Sequence, residues 1–386
     1  MKIALACADI RPNERQGGIA MYTFHLARGL ADRGHQVTIL GLSFGDLTVD
    51  DTGPIRFVFI PRIKFWTRHE KLQPIVNKLT RSRALARYLS KNRDFDVIEF
   101  PIWDAEGLHA TRVPGLKTVV RGHTPHAVVN QLAEDAGFKV SRMDQWASKL
   151  ELKSARQASL FLASSDSSVQ TAEKVFGFDP ARIRKCRLGT PISEVAADAA
   201  RQPVRVIFVG RLENRKGIHE ILASIPRVLE RFPDTHFDLA GLDMGTDEGE
   251  SFESYFARTA PAEISKQVHF YGRISDEALN NLWLNAQIAL LPSQYESFGL
   301  VHVEAMGYGL PVVACDIVAT REVVEADKTA FLVPVGDSES LAERMNRLIA
   351  NPKLRLEMGQ AGKIKAADFS VDAMARCVEK AYQSIL

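Results

Sequence analysis

The chain reads "KIALACA" at residues 2–8, "GIAMYTFHLARGLADRG" at 18–34 and "QVTIL" at 36–40, and these three stretches decide its fold. The first and the third are short apolar runs that predict β-strands, whereas the second has helical periodicity and closes at Gly34. A strand, a helix and a strand in this order predict a βαβ unit with parallel strands.

The same alternation continues along the chain and predicts two α/β domains. Further strands are predicted in the first half at 55–60, 95–100, 117–123 and 160–165. The stretch "GTPISEVAADAARQP" (189–203) lacks periodicity and is rich in small residues and proline, which indicates a linker. Beyond it, strands are predicted at 204–210, 235–241, 268–272, 288–293, 311–315 and 329–334. We therefore expect Rossmann-like domains at 1–195 and 204–369, with a C-terminal helix at about 370–386 that packs back on the first.

The composition favours a soluble globular protein and argues against several other classes. The 386 residues are 46% hydrophobic and 25% charged, as in soluble globular proteins, and the net charge of +2 argues against nucleic acid as a partner. Cys7, Cys186, Cys315 and Cys377 lie far apart in sequence, so we expect reduced, mostly buried thiols rather than a zinc site or a redox pair. The first residues predict neither a signal peptide nor a membrane span, which favours a cytoplasmic location.

One loop of the first domain suits a phosphate group. In "RQGGIA" (15–20), Gly17 and Gly18 stand directly before a helix, where backbone N–H groups and the helix dipole favour an anion. An ordinary tight turn is the alternative. The chain has neither a G-x-G-x-x-G after its first strand nor a Walker A sequence, which disfavours dinucleotide redox chemistry and P-loop hydrolysis.

A second such loop lies in the second domain. "FVGRLENRKG" (208–217) follows a strand and carries Arg211 and Lys216 at the strand's C-terminal end. A guanidinium and an ammonium from one loop can hold a diphosphate from two sides. Alternatively, both are solvated loop charges.

Two carboxylates frame the stretch "YESFGLVHVEAM" (295–306). We predict that Glu296 lies in the loop after a buried strand and that Phe298 and Gly299 open a short helix that ends at Gly309. Glu304 then follows about a turn and a half into that helix. Individually these glutamates could be a solvated turn residue and an exposed helix residue. Together they suit a ligand that combines hydroxyls with phosphate, such as a nucleotide sugar.

The motifs as a set resemble those of the retaining glycosyltransferases of family 4. The resemblance rests on "ESFGLVHVE" (296–304), an E-x7-E arrangement, with "GRLENRKG" (210–217), "QGGIAMYTFHLARGLADRGHQV" (16–37) and "REVVEADKTAFLVPVGD" (321–337). It implies the GT-B fold, in which two Rossmann-like domains face each other across a cleft. It also implies transfer of a hexose-type sugar from a nucleoside diphosphate to a hydroxyl acceptor, with anomeric retention, no metal ion and no other cofactor.

The resemblance also implies roles for individual residues. Glu296 would bind the hydroxyls of the donor sugar, Glu304 the ribose, and Arg211 and Lys216 the diphosphate. The implied donor-binding set is completed by Gly17, Gly18, Phe298, Gly299 and Leu300 at the phosphates and sugar, and by Arg273 and Ile274 at the base. Family members use UDP or GDP donors, and the resemblance leaves this choice open.

His123, at the end of a first-domain strand, stands where the family often has a histidine beside the anomeric centre. A structural histidine is the alternative. The implied reaction is a front-face substitution, in which Arg211 and Lys216 stabilise the departing diphosphate. A double displacement would need a carboxylate nucleophile, for which Glu296 is the obvious candidate.

The acceptor is expected on the first domain. "EFPIWDAEG" (99–107) follows a strand and offers Trp103, Asp104 and Glu106 to an acceptor sugar, unless it is a plain surface loop. The basic segment 61–93, with Phe65 and Trp66, could dock peripherally on the inner face of an anionic membrane or could be a solvated helix face.

Two sequence features differ from the family pattern or match another one, and two alternative functions stay open. "DFD" (94–96) has the D-x-D pattern of metal-dependent glycosyltransferases but precedes a strand instead of following one. Val318–Thr320 and Ala330 stand where the family commonly has glycine, which leaves the donor uncertain. A sugar phosphorylase, or a non-catalytic protein that binds a nucleotide sugar, would use the same residues.

Overall fold

The computed structural model describes residues 1–8, 10, 17–68, 70–135 and 139–386. The chain divides into two compact units, of which unit 1 is Met1–Gly189 together with Val371–Leu386 and unit 2 is Thr190–Ser370. Each unit is a mainly parallel β-sheet covered by helices, which confirms the predicted α/β class with two Rossmann-like units.

The strands of the two units alternate with helices along the chain. The strands are β1 (Lys2–Ala6), β2 (Gln36–Ser43), β3 (Thr48–Asp50), β4 (Ile55–Pro61), β5 (Val97–Pro101), β6 (Lys117–Gly122), β7 (Leu160–Ala163), β8 (Ile183–Lys185), β9 (Arg205–Val209), β10 (His236–Ala240), β11 (Val268–Gly272), β12 (Ile288–Leu291), β13 (Val312–Cys315) and β14 (Ala330–Val333). The α-helices are α1 (Gly18–Asp32), α2 (Gln73–Lys91), α3 (His126–Asp135), α4 (Arg142–Gln157), α5 (Asp166–Lys174), α6 (Ile218–Arg231), α7 (Phe252–Thr259), α8 (Ala262–Ser265), α9 (Asp276–Asn285), α10 (Leu300–Gly307), α11 (Val318–Val323), α12 (Ser338–Ile349), α13 (Pro352–Ala366) and α14 (Val371–Gln383).

The described part of unit 1 contains an eight-stranded sheet in the order β3-β4-β2-β1-β5-β6-β7-β8. All its pairings are parallel except that between β3 and β4. The central strand β5 is buried along its whole length, as expected for a strand with helices on both faces. The chain order reverses between β1 and β5, so ligand-binding loops are expected at the carboxyl ends of these strands.

Unit 2 contains a six-stranded parallel sheet in the order β11-β10-β9-β12-β13-β14. Helix α6 packs on it through an apolar face that includes Ile218, Ile221 and Ile225, all buried and spaced by about one helical turn. Here the order of the chain reverses between β9 and β12, which are paired in parallel.

Helix α14 joins unit 1 although it follows the whole of unit 2 in sequence. It packs closely on α1, where a Cβ added to Gly29 would come within 2.8 Å of Ala375. An ion pair from Glu379 to Arg33 (2.5 Å) and a hydrogen bond between Glu379 and His35 Nε2 (2.9 Å) flank this contact. The glycine in α1 is therefore explained by the close approach of the two helices.

The prediction that all four cysteines are reduced is wrong for two of them. Cys186 follows β8, Cys377 lies in α14, and the two form a disulfide with their Cα atoms 5.7 Å apart. Their sequence separation of 191 residues gave no signal of this pairing, which depends on the return of α14 to unit 1. Cys7 and Cys315 are buried and take no part in this disulfide.

Within the described residues, no helix combines the length and the apolar character that a membrane-spanning segment requires.

Candidate active site

The site in unit 2 is built from the two loops that follow β9 and β12. Because these strands are paired in parallel, their carboxyl ends lie at the same edge of the sheet, where the chain order reverses. Such a reversal point is where open α/β sheets bind ligands. Residues 210–217 and 292–299 form the two loops.

Hydrogen bonds to backbone carbonyl groups hold the two loops together. The amide of Gln294 donates to the carbonyl of Arg215 at 2.9 Å, and Arg215 Nη1 donates to the carbonyl of Tyr295 at 2.9 Å. Gly217 has φ +73°, and a Cβ at this position would come within 2.3 Å of the Pro292 carbonyl oxygen. A glycine is thus required here both for the left-handed conformation and for the close approach of the loops.

The ion pair between Lys216 and Glu296 is the centre of the site. Both side chains are mostly buried, with 15% and 10% of their surface exposed. Burial by itself raises the pKa of Glu296, but Lys216, His302 and Arg215 outweigh it and lower that pKa to about 2. The carboxylate is therefore ionised and can only accept hydrogen bonds.

This pair makes folding stability depend on pH. The pKa of Glu296 falls from 4.5 to about 2 on folding, and a carboxyl with a lowered folded pKa stabilises the protein above its unfolded pKa. That contribution, about 3 kcal/mol, is lost as the pH falls through this window. We expect Glu296→Gln to show a shallower loss of stability than the wild type between pH 4.5 and pH 3 in thermal unfolding. Identical slopes for the two proteins would contradict this assignment.

Arg211 and Arg215, in the loop after β9, share the carboxylate of Glu213. Glu213 Oε1 lies 3.1 Å from Arg211 Nη2 and 2.6 Å from Arg215 Nη2. The side chain of Arg211 is 53% exposed, so its guanidinium remains accessible to an anion. Two arginines and a lysine thus stand within six residues of one loop, and two carboxylates balance part of their charge.

Helix α10 begins at Leu300, two residues later than predicted. Gly299 precedes it with φ +90°, a conformation that cannot continue a helix, and it leaves the first amides of α10 without a side-chain cap. His302 is fully buried and donates from Nδ1 to the carbonyl of Gly299 at 3.1 Å. Phe298 is also buried, in edge contact with Phe369, so its ring is not exposed to a ligand.

Glu304 lies in α10 beside Tyr308 and is half-buried. Burial raises the pKa of Tyr308, and the charge of Glu304 raises it further. Arg273 and Ile274 follow β11, so they stand at the same sheet edge as the two loops. The structure therefore joins Lys216 to Glu296 directly and Arg211 to Lys216 through their common loop. It places Arg273, Ile274 and residues 298–300 in loops or at a helix start at the same edge, whereas Glu304 lies further along α10.

In unit 1, the loop after β5 is held by a buried glutamate that the sequence did not single out. Glu151 of α4 accepts from the amides of Asp104 (3.1 Å) and His126 (2.8 Å), and its carboxylate contacts His126 Nδ1 at 2.6 Å. Burial raises the pKa of Glu151 despite His126. The His126 ring stacks on Trp103 with a centroid distance of 3.9 Å, which orients the predicted acceptor tryptophan.

The two predicted acceptor carboxylates already have partners in unit 1. Asp104, at φ +60°, forms ion pairs with Lys78 and, at 3.5 Å, with Arg81. Glu106 is buried, and both of its oxygens lie 3.1 Å from the amide of Ala8 after β1. Glu106 thus joins the loops after β1 and β5, whereas Asp104 engages two basic residues of the segment 61–93.

His123 follows β6 and is buried. Burial, and then the positive charge of Arg121, lower the pKa of His123 to about 3, so the imidazole is neutral near pH 7. Its ring meets Tyr22 edge to face at a centroid distance of 5.2 Å.

Gly17 and Gly18 stand at the start of α1, and a Cβ added at either would meet no atom of the described residues within 4 Å. The preceding residues of the "RQGGIA" loop, Arg15 and Gln16, lie outside the described residues. The carboxylates of the "DFD" stretch both bind Lys2, since Asp94 pairs with its ammonium at 2.6 Å and Asp96 accepts from its amide at 2.7 Å. They fix the start of β1.

Three residues of these sites escaped the sequence analysis. Arg215 lies inside the motif "GRLENRKG", directly before the predicted Lys216. His302 was hidden among core-like residues between the two glutamates, and Glu151 lies in a helix about 45 residues beyond the loop that it supports. Only the position of Arg215 next to Lys216 carried a usable signal.

Two compact α/β units, one of which joins a cationic loop to a buried glutamate at its reversal point, are the arrangement that the motifs implied for a glycosyltransferase with the GT-B fold. Residues 16–193 match the family model described as Glycosyltransferase Family 4, and residues 194–365 match Glycosyl transferases group 1. The chain therefore belongs to the family 4 glycosyltransferases, as its motifs indicated.

Individual relatives agree with this assignment. The chain is 28% identical over 310 residues to the D-inositol 3-phosphate glycosyltransferase of Corynebacterium urealyticum, covering 75% of this chain and 72% of that protein. It is 26% identical over 418 residues to the MMP alpha-(1->4)-mannosyltransferase of Mycolicibacterium hassiacum, covering 100% and 98%.

Solved structures share the fold across the whole chain. Sucrose-phosphate synthase from Thermosynechococcus elongatus has a TM-score of 0.80 at 23% identity and covers 100% of this chain and 98% of its own. Anabaena HepE, solved in complex with UDP-glucose, has a TM-score of 0.75 at 19% identity and covers 100% of both chains.

Proposed function

We propose that this glycosyltransferase is a retaining, metal-independent enzyme that moves a hexose-type sugar from a nucleoside diphosphate to a hydroxyl acceptor. The acceptor class is a glycan, a lipid-linked oligosaccharide or a small metabolite. The observation that carries the proposal is the buried ion pair between Lys216 and Glu296 at the reversal point of the unit 2 sheet.

The pair combines the two kinds of group that a sugar diphosphate requires. The ammonium of Lys216 has three N–H donors, so it can keep Glu296 and still donate to a phosphate oxygen. The ionised carboxylate of Glu296 accepts hydrogen bonds from sugar hydroxyls. Arg211, exposed on the same loop, supplies a second cation for the diphosphate.

The relatives support this donor class. HepE was solved with UDP-glucose, and the names of several relatives specify transfer to inositol phosphate or transfer of mannose. In the proposed roles, Glu304 binds the ribose, Arg273 and Ile274 the base, and the amides of Gly17, Gly18, Phe298 and Gly299 the phosphates.

The proposed chemistry is a front-face substitution. The bond between the anomeric carbon and the leaving phosphate oxygen breaks, and a bond from the acceptor oxygen forms on the same face of the sugar. The departing diphosphate takes the proton of the acceptor hydroxyl. Arg211 and Lys216 stabilise the negative charge that develops on the diphosphate, which makes them the main catalytic groups. The neutral His123 positions the sugar or the acceptor by hydrogen bonding.

A thermal-shift panel tests the donor class. It compares UDP, GDP and ADP, each alone and as its common hexose conjugates, on the full chain, with Glu296→Gln as the matched control. We expect one nucleotide sugar to raise the melting temperature of the wild type, and we expect Glu296→Gln to lose the extra stabilisation by the sugar but not that by the nucleotide. Stabilisation by none of these compounds would overturn the proposal, whereas phosphate-dependent cleavage of a disaccharide would select a phosphorylase.

Metal independence is a separate prediction, because the diphosphate charge is assigned to protein cations. Turnover of the selected donor is expected to persist in excess EDTA, with the same thermal shift as in its absence. Loss of turnover that Mg²⁺ or Mn²⁺ restores would contradict the assignment of this role to Arg211 and Lys216.

We also propose that unit 1 contacts an anionic membrane through an exposed patch, Phe44, Lys64, Phe65 and Trp66. Phe44, Phe65 and Trp66 are 70%, 61% and 83% exposed. The guanidinium of Arg62 lies 4.2 Å from the centre of the Phe44 ring and so joins the two loops. Amphipathic aromatic rings and basic side chains are the groups that favour the membrane interface. Lys78 and Arg81 of the same basic segment contribute less, since Asp104 neutralises them.

Vesicle binding checks this surface. The wild type is expected to sediment with vesicles that contain phosphatidylglycerol and not with pure phosphatidylcholine, and Trp66→Ala is expected to weaken this binding about tenfold. Trp146→Ala, which removes another exposed tryptophan of unit 1, is the control and should bind normally. Equal binding by both variants would exclude the patch as the contact.

A further inference from the structure

A buried polar network lies beside His123 in unit 1 and is not used by the proposed chemistry. Its members are Tyr22 of α1, Glu99 of β5, Arg121 of β6 and Tyr382 of α14. Tyr22 donates its hydroxyl to Glu99 Oε1 at 2.5 Å, and Tyr382 donates its hydroxyl to Glu99 Oε2 at 2.7 Å. Each carboxylate oxygen therefore has one phenol partner.

Arg121 closes the network. Its Nε lies 3.5 Å from Glu99 Oε1, its Nη1 donates to the carbonyl of Cys186 at 2.9 Å, and its guanidinium lies 4.7 Å from the centre of the Tyr22 ring. Exposure of the four side chains is 3% or less. Burying an ion pair costs desolvation energy that well-packed apolar residues would avoid, so packing alone is a weak reason for this network. It fixes the orientation of its members instead.

The network contacts His123 directly. The Tyr22 ring meets the imidazole edge to face at 5.2 Å, and a cavity of about 10 Å³, the space of about one water molecule, is lined by Tyr22, Glu99, Arg121 and His123. His123 is itself buried, and its Nε2 atom has no hydrogen-bond partner within the part of the chain that the structure describes. The Tyr22 ring thus contacts the imidazole, whereas Nε2 forms no hydrogen bond within the described residues.

From these contacts we infer that Tyr382, in the C-terminal helix, is a positioning residue for His123. The Tyr382 hydroxyl fixes the Glu99 carboxylate, the carboxylate fixes Tyr22, and the Tyr22 ring holds the imidazole with Nε2 left for a ligand. The inference rests on the proposed role of His123. Its consequence is that α14 completes the unit 1 site, to which it is also tied by the Cys186–Cys377 disulfide.

A double-mutant cycle tests the inference. Tyr382→Phe, His123→Ala and the double variant are compared in the full chain by the rate of nucleoside diphosphate release from the donor that the thermal-shift panel selects. Tyr22→Phe is a second route to the same test, because it keeps the ring beside His123 but removes its bond to Glu99. Tyr88→Phe, which removes the hydroxyl of a half-buried tyrosine on α2, is the matched control.

We expect Tyr382→Phe and Tyr22→Phe each to lower kcat about tenfold, with the donor KM changed less than about twofold. In the His123→Ala background, neither variant should lower kcat further, since residues that act through one group are not additive. Tyr88→Phe should leave kcat unchanged. A drop that persists in the His123→Ala background, or no drop at all, would overturn the inference while leaving the role of His123 intact.

Failure of the proposed function would look different. If His123→Ala alone has normal kcat, the proposed role of His123 is wrong. The inference that Tyr382 positions His123 for that role is then wrong as well. A measurement without substrate adds a second criterion. In protein labelled with ¹⁵N-histidine, the ring signals of His123, identified by their absence in His123→Ala, should shift or broaden in Tyr382→Phe and stay unchanged in Tyr88→Phe. Unchanged signals in Tyr382→Phe would also overturn the inference.

Discussion

Replacement of Lys216 by alanine is expected to lower kcat by about 30- to 1000-fold, which corresponds to about 2–4 kcal/mol of transition-state stabilisation. The ammonium is mostly buried beside Glu296, where a charge acts more strongly than in water. Its removal takes one cation from the departing diphosphate and leaves the Glu296 carboxylate buried without its main partner. Steady-state turnover of the selected donor measures the effect.

Two further variants separate these causes. Lys328→Ala removes a lysine from an exposed pair with Glu325 in the same unit and should leave kcat unchanged. The double variant Lys216→Ala, Glu296→Gln removes the uncompensated charge, so it should regain thermal stability relative to Lys216→Ala without regaining kcat. Near-normal turnover of Lys216→Ala would remove the diphosphate contact from the mechanism.

Replacement of Gly217 by alanine is expected to destabilise unit 2 by about 3–5 kcal/mol and to abolish donor binding. The left-handed conformation costs a residue with a Cβ about 1–2 kcal/mol. The Cβ would also come within 2.3 Å of the Pro292 carbonyl oxygen, a backbone atom that can move only if the loops after β9 and β12 separate. Calorimetry should show the melting transition of unit 2 lowered by about 10 °C.

Gly336→Ala is the control for this prediction. Gly336 also has a positive φ, +82°, but a Cβ there would meet nothing within 4 Å. It should show only the conformational cost, about 1–2 kcal/mol. Equal destabilisation by the two substitutions would mean that the loops accommodate the added methyl group and that their close approach is not required.

The fold could be predicted because its signals are local. The apolar runs of β1, β9 and β12 and the periodicity of α1 each depend on neighbouring residues. The predicted ends of helices were less accurate where the backbone conformation of one residue decides where the helix begins. Helix α10 starts at Leu300 because Gly299 is left-handed, and the letters "FG" do not reveal the sign of φ. The short strands β3 and β8 were missed because three residues carry too little pattern.

The candidate site was predictable only in part. Arg211, Lys216 and Glu296 stand in recognisable motifs, and the parallel pairing of β9 with β12 brings their loops together. Contacts that join distant segments left no trace in the sequence. The support of the 102–106 loop by Glu151 and the pairing of Cys186 with Cys377 depend on the tertiary fold.

The return of α14 to unit 1 affects the order of events on the ribosome. Residues 190–370 leave the exit tunnel before the segment that covers α1, so unit 2 has its whole sequence available first. Until residue 383 has been synthesised, nascent unit 1 exposes the surface around Gly29 and lacks the phenol that Tyr382 donates to Glu99. During translation the unit that contains the N-terminus is thus the later of the two to have its whole sequence available for folding.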